Sequence, residues 1–386
     1  MRVLHYIDSL CLEEGGIVRA VLDLAAEVAR AGAQVTILTG DPKDVPTSWS
    51  SDPAAPRVVT IPVSPGAAFR PGSLTPAIRD AVGGADVVHF HELWDPFNLV
   101  VARAARRASK PYVISAHGML DDWCMAGKSL KKSTYLRLFA VGLLRRAQWV
   151  HFTASIEAEQ SLRRVPGLTP IVEPLVLDVE PYHTAVGPAP AKTAYPQAFV
   201  DDGLPRLLFV GRLHPIKGLP TLLEAIALLP TAQRPHLLLA GPAADGHDAQ
   251  LERQAASLGV DDRIHLLGMV GGELKRSLYE AADAFVLPSH HENFGIALAE
   301  AMLCGAPVLT SRSVNIWPEV EKLGGIVADN TAEGFAKGLR HLLDDLPARQ
   351  QAASMNRPAV FEWLEPKRLA TRYLEAYERA ISRTRC

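Results

Sequence analysis

Cysteine is scarce: Cys11, Cys124, Cys304 and Cys386 are far apart in 386 residues and form no paired spacing. That argues against a disulfide framework or a zinc ribbon, and a reducing compartment is the default expectation. Long apolar runs are missing as well. None reaches the ~18 residues a membrane helix needs. The first residues, Arg2-Val-Leu-His-Tyr-Ile7, read as a strand and not as a signal peptide. The expectation is a soluble, cytoplasmic chain, peripheral at the inner face of a membrane at most. Charge of one sign is not in excess: the net charge is −2, so no global field points to nucleic acid. Repeats and low-complexity tracts are absent. The six-residue glycine pattern of dinucleotide enzymes is missing too, which argues against a nicotinamide cofactor.

What is present is alternation. Short apolar runs at 2–7, 34–39, 58–63, 86–91, 112–116 and 149–153 alternate with helical patterns such as Ile17 to Arg30. Pro170, Pro174, Pro181, Pro188, Pro190, Pro196 and Pro205 then break the rhythm. The alternation restarts at Arg206 and runs to a helical pattern over 331–343, and a last amphipathic helix spans 366–383 with Leu369, Tyr373, Leu374 and Tyr377 on one side. Alternating β and α elements imply parallel, doubly wound sheets. The expected fold class is therefore α/β, with two Rossmann-like domains facing across a cleft. Expected boundaries are 1–178, a linker over 179–205, a second domain over 206–365, and a helix over 366–386 packing back toward the first domain.

One stretch stands out: Pro288-Ser-His-His-Glu292-Asn-Phe-Gly-Ile-Ala-Leu-Ala-Glu300-Ala-Met-Leu-Cys-Gly305. An apolar run, 284–288, precedes it. Strand, loop with acid, then helix with acid puts two carboxylates at the carboxyl end of a parallel sheet, where α/β ligand sites lie. Two more loops look built for phosphate. Glu13-Glu-Gly15-Gly16-Ile17 follows the first strand and opens a helix, so backbone N–H groups can face an anion. Gly211-Arg212-Leu-His-Pro-Ile-Lys217-Gly218 leaves a strand with a guanidinium fork and a mobile ammonium five residues apart. Asn293-Phe294-Gly295 starts the helix that bears Glu300. Any one of these is commonly turn punctuation or a surface cation; their convergence is less so.

Together these residues resemble the retaining glycosyltransferases of family 4, with the two-domain GT-B architecture. The matching elements are Gly15-Gly16, Gly211-Arg212 with Lys217-Gly218, and Glu292-x7-Glu300 followed by Gly305-Ala-Pro-Val308. The resemblance implies an acceptor-side first domain and a second domain that holds a nucleoside diphosphate sugar. Arg212 and Lys217 would contact the diphosphate and Glu300 the ribose. Glu292 would lie beside the sugar, with the Asn293-Phe294-Gly295 backbone on sugar hydroxyls and phosphate. His117, in Ser115-Ala-His-Gly, matches a histidine often found close to the transferred sugar. The implied reaction is hexosyl transfer to a hydroxyl in polysaccharide, glycolipid or other glycoconjugate synthesis, with no cofactor and no metal. A strand-end Asp-x-Asp motif is lacking, in keeping with this. The region Glu173-Pro-Leu-Val-Leu-Asp-Val179 departs from the Asn-Gly-Val-Asp turn of many relatives, which puts acceptor contacts there in doubt.

Other residues are more ambiguous. Asp121 and Trp123 are candidates for acceptor hydroxyls and stacking. Trp94 has the same stacking option, although buried aromatics are the commoner case. His89 and His91 share one strand face beside Glu92, a combination that residue type alone would allow for a metal. No convincing third ligand accompanies them, so locally satisfied histidines are expected. His290 and His291 border the donor pocket or face solvent. Residues 102–164 carry twelve Lys and Arg against four Asp and Glu. Within them, Lys131-Lys132 and Arg145-Arg146 frame an apolar middle. It reads first as a core helix, and second as a contact with an anionic membrane bearing a lipid-linked acceptor. A saccharide acceptor is equally open. Competing readings are an epimerase, a phosphorylase, for which no cofactor-anchoring lysine pattern is found, and a non-catalytic sugar-nucleotide-binding protein.

Overall fold

The computed structural model describes residues 1–386 apart from 64–67, 69–71, 127, 128, 245 and 386. Lys128 of the basic stretch and Asp245 of the Gly241–Gly246 loop therefore lie outside the described residues. The chain forms two compact units, Met1–Asp178 with Leu364–Cys386, and Val179–Trp363.

The first unit is built on a parallel sheet of seven strands among the described residues. They are β1 (Arg2–Tyr6), β2 (Gln34–Thr39), β3 (Arg57–Thr60), β4 (Val87–His91), β5 (Tyr112–Ser115), β6 (Val150–Phe152) and β7 (Pro170–Val172). Their order is β3-β2-β1-β4-β5-β6-β7. Side chains alternate across the sheet. Leu4, Tyr6, Phe90, Ile114 and Phe152 fill the core on one face, and Val3, Ile7, Val87 and Val113 that on the other. The helix Gly16–Arg30 covers the second face with Val21, Ala25 and Val28. The C-terminal helix Pro366–Arg385 joins it there with Leu369, Tyr373 and Tyr377 buried. The Trp149 indole N–H donates to the Ala376 carbonyl at 3.1 Å. Each large apolar side chain fully buried there contributes about 1.5–3 kcal/mol.

The second unit carries β8 (Arg206–Val210), β9 (His236–Ala240), β10 (Ile264–Gly268), β11 (Ala284–Leu287), β12 (Val308–Ser311) and β13 (Ile326–Ala328). All pairs are parallel, in the order β10-β9-β8-β11-β12-β13. The fold is two parallel-sheet α/β bodies, as the alternation implied.

Three elements differ from expectation. Strand β7 lies in the proline-rich approach to the boundary, where three residues leave little periodicity. The stretch 179–205, expected as a linker, is part of the second unit. Its short helix Ala189–Ala194 is tied to the helix Gly272–Ala281: the Ala191 N–H donates to Ser277 Oγ at 3.0 Å, and that hydroxyl donates to the Gly187 carbonyl at 2.7 Å. Prolines there shape turns that pack, so proline density did not mean a free tether. Finally, Leu346–Trp363 is helical despite Pro358 inside it. Its exposed surface leaves no clear apolar stripe, so periodicity could not reveal it.

Candidate active site

In both sheets the strand order reverses between the first strand and its central neighbour. Open α/β sheets bind ligands at such a switch point, beyond the strand carboxyl ends. In the second unit the switch lies between β8 and β11, and the loops that follow those strands meet there. The His290 N–H donates to the Ile216 carbonyl at 2.8 Å. Gly218 closes the contact in the left-handed region, at φ +67°. A Cβ on it would lie 2.1 Å from the Pro288 carbonyl oxygen, so only glycine fits. Gly241, at φ +143°, meets the same restriction: its Cβ would sit 2.0 Å from the Gly211 oxygen. These close approaches bring the Lys217 ammonium against the Glu292 carboxylate as a half-buried ion pair. Arg212 lies exposed on the same loop.

The β11 loop is held from its other side by β12. The Glu292 N–H donates to the Ser313 carbonyl at 3.1 Å, and the Asn315 N–H donates to the Glu292 carbonyl at 2.9 Å. The Asn315 side-chain amide donates to Asn293 Oδ1 at 3.3 Å. Phe294 is buried and stacks on Trp363, with ring centroids 5.7 Å apart. Gly295, at φ +76°, then opens the helix Ile296–Leu303. That helix is apolar on nearly every side, and Glu300 is its one charged residue. Its Oε1 accepts from Lys275 Nζ at 2.7 Å, and its Oε2 accepts from the Tyr279 hydroxyl at 2.9 Å. Arg357 Nε donates to the Leu303 carbonyl at 2.6 Å, placing a cation at the helix C-terminus. Lys275, Tyr279, Asn315 and Arg357 were missed by sequence reasoning. Lys275 and Tyr279 are four apart on one helix face, the sole hint available, but nothing local ties them to Glu300.

The first unit presents its own strand ends. Gly15, at φ +130°, precedes the helix Gly16–Arg30, whose N-terminus no side chain caps. Its backbone N–H groups are the feature an anion would use. After β4, the Tyr6 hydroxyl donates to Asp95 Oδ2 at 2.5 Å, and burial pushes the Asp95 carboxyl up to about 6. His117 follows β5 in a left-handed conformation, φ +49°. A non-glycine residue held there is strained, and such strain clusters at functional sites. The adjacent Gly118 N–H donates to Glu157 Oε1 at 2.6 Å, while Glu157 Oε2 accepts from the Thr153 N–H at 2.7 Å. Burial pushes the His117 imidazole down to about 3, so it is neutral at physiological pH.

Two expectations need correction. Asp121, a candidate for acceptor hydroxyls, is 1% exposed, and its Oδ1 accepts the Cys124 N–H at 2.7 Å. It starts the helix Asp122–Ala126 instead of facing an acceptor. Trp123 is 49% exposed and remains available for stacking. The histidine pair His89 and His91 does have a third neighbour, His5 on β1, and their ring nitrogens gather closely enough to be considered for a metal. Both nitrogens of His89, however, are engaged by hydroxyls: Tyr377 at 2.7 Å and Ser115 at 2.8 Å. The arrangement is a hydrogen-bonded network as it stands.

Residues 15–172 match the glycosyl transferase 4-like domain, and residues 192–357 match the glycosyl transferases group 1 domain. The chain belongs to the family 4-like glycosyltransferases of GT-B fold. Among the family's curated members, it is 28% identical to the GDP-mannose:cellobiosyl-diphosphopolyprenol alpha-mannosyltransferase of Xanthomonas oryzae pv. oryzae, over 80% of this chain and 78% of that one. It is also 28% identical to the D-inositol 3-phosphate glycosyltransferase of Mycolicibacterium smegmatis, over 96% and 87%. In fold it is similar to Anabaena Alr3699/HepE, solved in complex with UDP and glucose, with a TM-score of 0.76 at 20% identity over 98% of this chain and 99% of that one. Sucrose-phosphate synthase from Thermosynechococcus elongatus has a TM-score of 0.78 at 20% identity, covering 99% and 100%. The protein is a glycosyltransferase.

Proposed function

We propose that this glycosyltransferase moves a hexosyl group from a nucleoside diphosphate sugar to a hydroxyl, with retained anomeric configuration and no divalent metal. The observation that carries the reading is the Lys217–Glu292 pair at the second unit's switch point, with Glu300 on the helix that follows. Breaking the glycosyl-phosphate bond builds negative charge on the leaving phosphate. Arg212 and Lys217 supply fixed positive charge for it, and the Asn293-Phe294-Gly295 turn adds the N–H groups of a helix start. Glu300 holds two donors already. A carboxylate accepts about four hydrogen bonds, so two sites remain for a ribose diol. Glu292 is charge-paired with Lys217, which suits positioning the sugar more than attacking it. The departing phosphate oxygen takes the acceptor's proton in a front-face displacement. The resemblance further assigns His117 to the transferred sugar and the Gly15-Gly16 backbone to the donor phosphates. Trp123 offers its face to the acceptor.

The acceptor is a saccharide or a lipid-linked saccharide in glycoconjugate synthesis at the cytoplasmic membrane face. The Xanthomonas relative, whose name gives a diphosphopolyprenol acceptor, supports the lipid-linked option. So does the segment 129–146. Leu136, Ala140, Leu143 and Leu144 are buried, whereas Leu130 and Leu138 are 82% and 65% exposed among lysines and arginines. The core-helix reading accounts for only one side of it. No described helix is long and apolar enough to cross a membrane.

A thermal-shift screen with UDP, GDP and ADP, then with their sugars, tests the donor assignment. One nucleotide series stabilises the protein, and Lys217→Ala and Glu292→Gln lose turnover. No shift with any nucleotide sinks the proposal, and donor conversion without an acceptor points to an epimerase. Anomeric analysis of the product and turnover in chelator test retention and metal independence. A glycosyl adduct trapped on Glu292 would replace the front-face route with a double displacement.

A further inference from the structure

The first unit contains a row of buried imidazoles that ends at His117. His5 on β1 pairs in register with His89 on β4, and His91 lies two residues further on the same face. His5 Nδ1 and His91 Nε2 are hydrogen-bonded at 2.8 Å, and His91 Nδ1 and His117 Nε2 at 3.2 Å. The rings stack, with centroids 5.1 Å and 5.5 Å apart. His5 and His91 are buried, and desolvation keeps both imidazoles neutral. His89 belongs to a separate branch through Ser115 and His151 to Tyr373, so it does not interrupt the row.

A neutral imidazole has one N–H and one bare nitrogen. The row therefore has a direction, and fixing one proton fixes the others. The far end decides which. His5 Nε2 is buried with no hydrogen-bond partner. A buried N–H left unpaired is rarer than an under-satisfied acceptor, so the bare nitrogen belongs there. His5 then carries its proton on Nδ1 and donates to His91 Nε2. His91 in turn carries its proton on Nδ1 and donates to His117 Nε2. His117 is left with its proton on Nδ1, the one nitrogen the row does not use.

We propose that the His5–His91–His117 row locks His117 as the Nδ1–H tautomer, so that it donates a hydrogen bond to an oxygen of the transferred sugar and does not act as a base. His5 and His91 are positioning residues. This rests on the reading that His117 meets the donor sugar. The conformational strain at His117 agrees with a side chain held for a specific orientation.

Ring-nitrogen NMR of protein labelled with 15N-histidine tests this without substrate, since protonated and bare nitrogens resonate far apart. His117→Gln assigns the His117 signals. The expected wild-type pattern is Nδ1 protonated and Nε2 bare. His5→Phe removes the lock, and the His117 signals then shift toward a mixture of tautomers. Donor turnover falls about tenfold, the scale of one misdirected hydrogen bond. In a His117→Gln background, His5→Phe costs no further turnover. His5→Asn, which can still donate to His91, recovers part of the loss. A wild-type His117 protonated on Nε2 overturns the proposal, even if His5→Phe fails to fold. So does an unchanged tautomer in folded His5→Phe. Failure of the donor reading is distinguishable: the tautomer pattern stands while no nucleotide sugar shifts the melting point.

Discussion

Gly218 makes the arrangement of the loops at the second unit's switch point testable with one methyl group. It sits at φ +67°, and an added Cβ would lie 2.1 Å from the Pro288 oxygen and 3.0 Å from the Pro288 carbonyl carbon. Gly259 provides the control: it lies in the same unit at φ +63°, with nothing within 4 Å of an added Cβ. Holding alanine in the left-handed region costs about 1–2 kcal/mol. That is the whole cost at Gly259. At Gly218 overpacking adds about 1–3 kcal/mol, because backbone and not a flexible side chain must yield. The expected losses are about 1–2 kcal/mol for Gly259→Ala and about 2–5 kcal/mol for Gly218→Ala. For a body of this size, each kcal/mol lowers the melting midpoint by about 2–4 °C. Calorimetry then separates a shift of about 4 °C from one of about 10 °C. There is a functional component as well. To relieve the contact, the Pro288 carbonyl must move, and it carries the segment that leads to Glu292 away from Lys217. Gly218→Ala therefore loses the nucleotide-induced thermal shift, whereas Gly259→Ala keeps it. Equal melting losses in the two variants refute the carbonyl contact. A full nucleotide response in Gly218→Ala refutes its link to the site.

Four further outcomes follow from named groups. Burial pushes His5 and His117 down to about 3 and His151 to about 4. The unfolded chain, with histidines near the usual value of about 6.5, binds more protons below that pH, so stability falls as pH drops; at pH 5 the effect is about 2 kcal/mol per histidine, read as a falling melting midpoint between pH 7.5 and 5. A flat profile contradicts the burial. Asp95 runs the other way: with its carboxyl raised to about 6, the folded form takes up the proton first, so Asp95→Asn should raise the midpoint above pH 6 and lose that gain near pH 4. Glu300→Gln should weaken nucleotide binding about tenfold by calorimetry, with no further loss for a nucleotide lacking both ribose hydroxyls; an additive loss removes Glu300 from the ribose. Leu138→Asp should abolish sedimentation with anionic vesicles and leave turnover on a soluble acceptor unchanged; unaltered sedimentation excludes this face as the membrane contact.

Much of the fold was legible because period-2 and period-3.6 apolar patterns are local. Gln34–Thr39 was bounded from its side-chain pattern alone. What stayed hidden depends on contacts far apart in the chain. Three-residue β7 and the proline-bearing helix Leu346–Trp363 have too little periodicity to announce themselves. The packed segment 179–205 is tied down by residues far along the chain, among them Ser277 and Glu280, about ninety residues later. The same holds within the site. Gly218 was visible as a glycine, but its reason is the Pro288 carbonyl. Asp121 looked like an acceptor ligand because an acid after a strand resembles one; its role as a helix start depends on backbone geometry at Cys124.

The two acids that the spacing joined are separated by their partners. Two-carboxylate hydrolysis requires one group to hold a proton for the leaving oxygen while the other stays ionised. Here each carboxylate faces a lysine: Glu292 meets Lys217, and Glu300 meets Lys275. Each is thus one half of an ion pair with an ammonium, and neither stands apart as the group that would donate a proton. The difference lies in what remains free. Glu300 has its second oxygen tied to the Tyr279 hydroxyl on a rigid helix face, which suits holding a ligand in one orientation. Glu292 stands on a loop whose backbone is pinned by Ser313 and Asn315, while its partner Lys217 rides on the neighbouring loop with Arg212. A diphosphate arriving at Arg212 and Lys217 would compete with Glu292 for the same ammonium. On the proposed donor reading, donor binding and the orientation of Glu292 would be coupled through Lys217, a coupling that a pair of acids acting alone would lack.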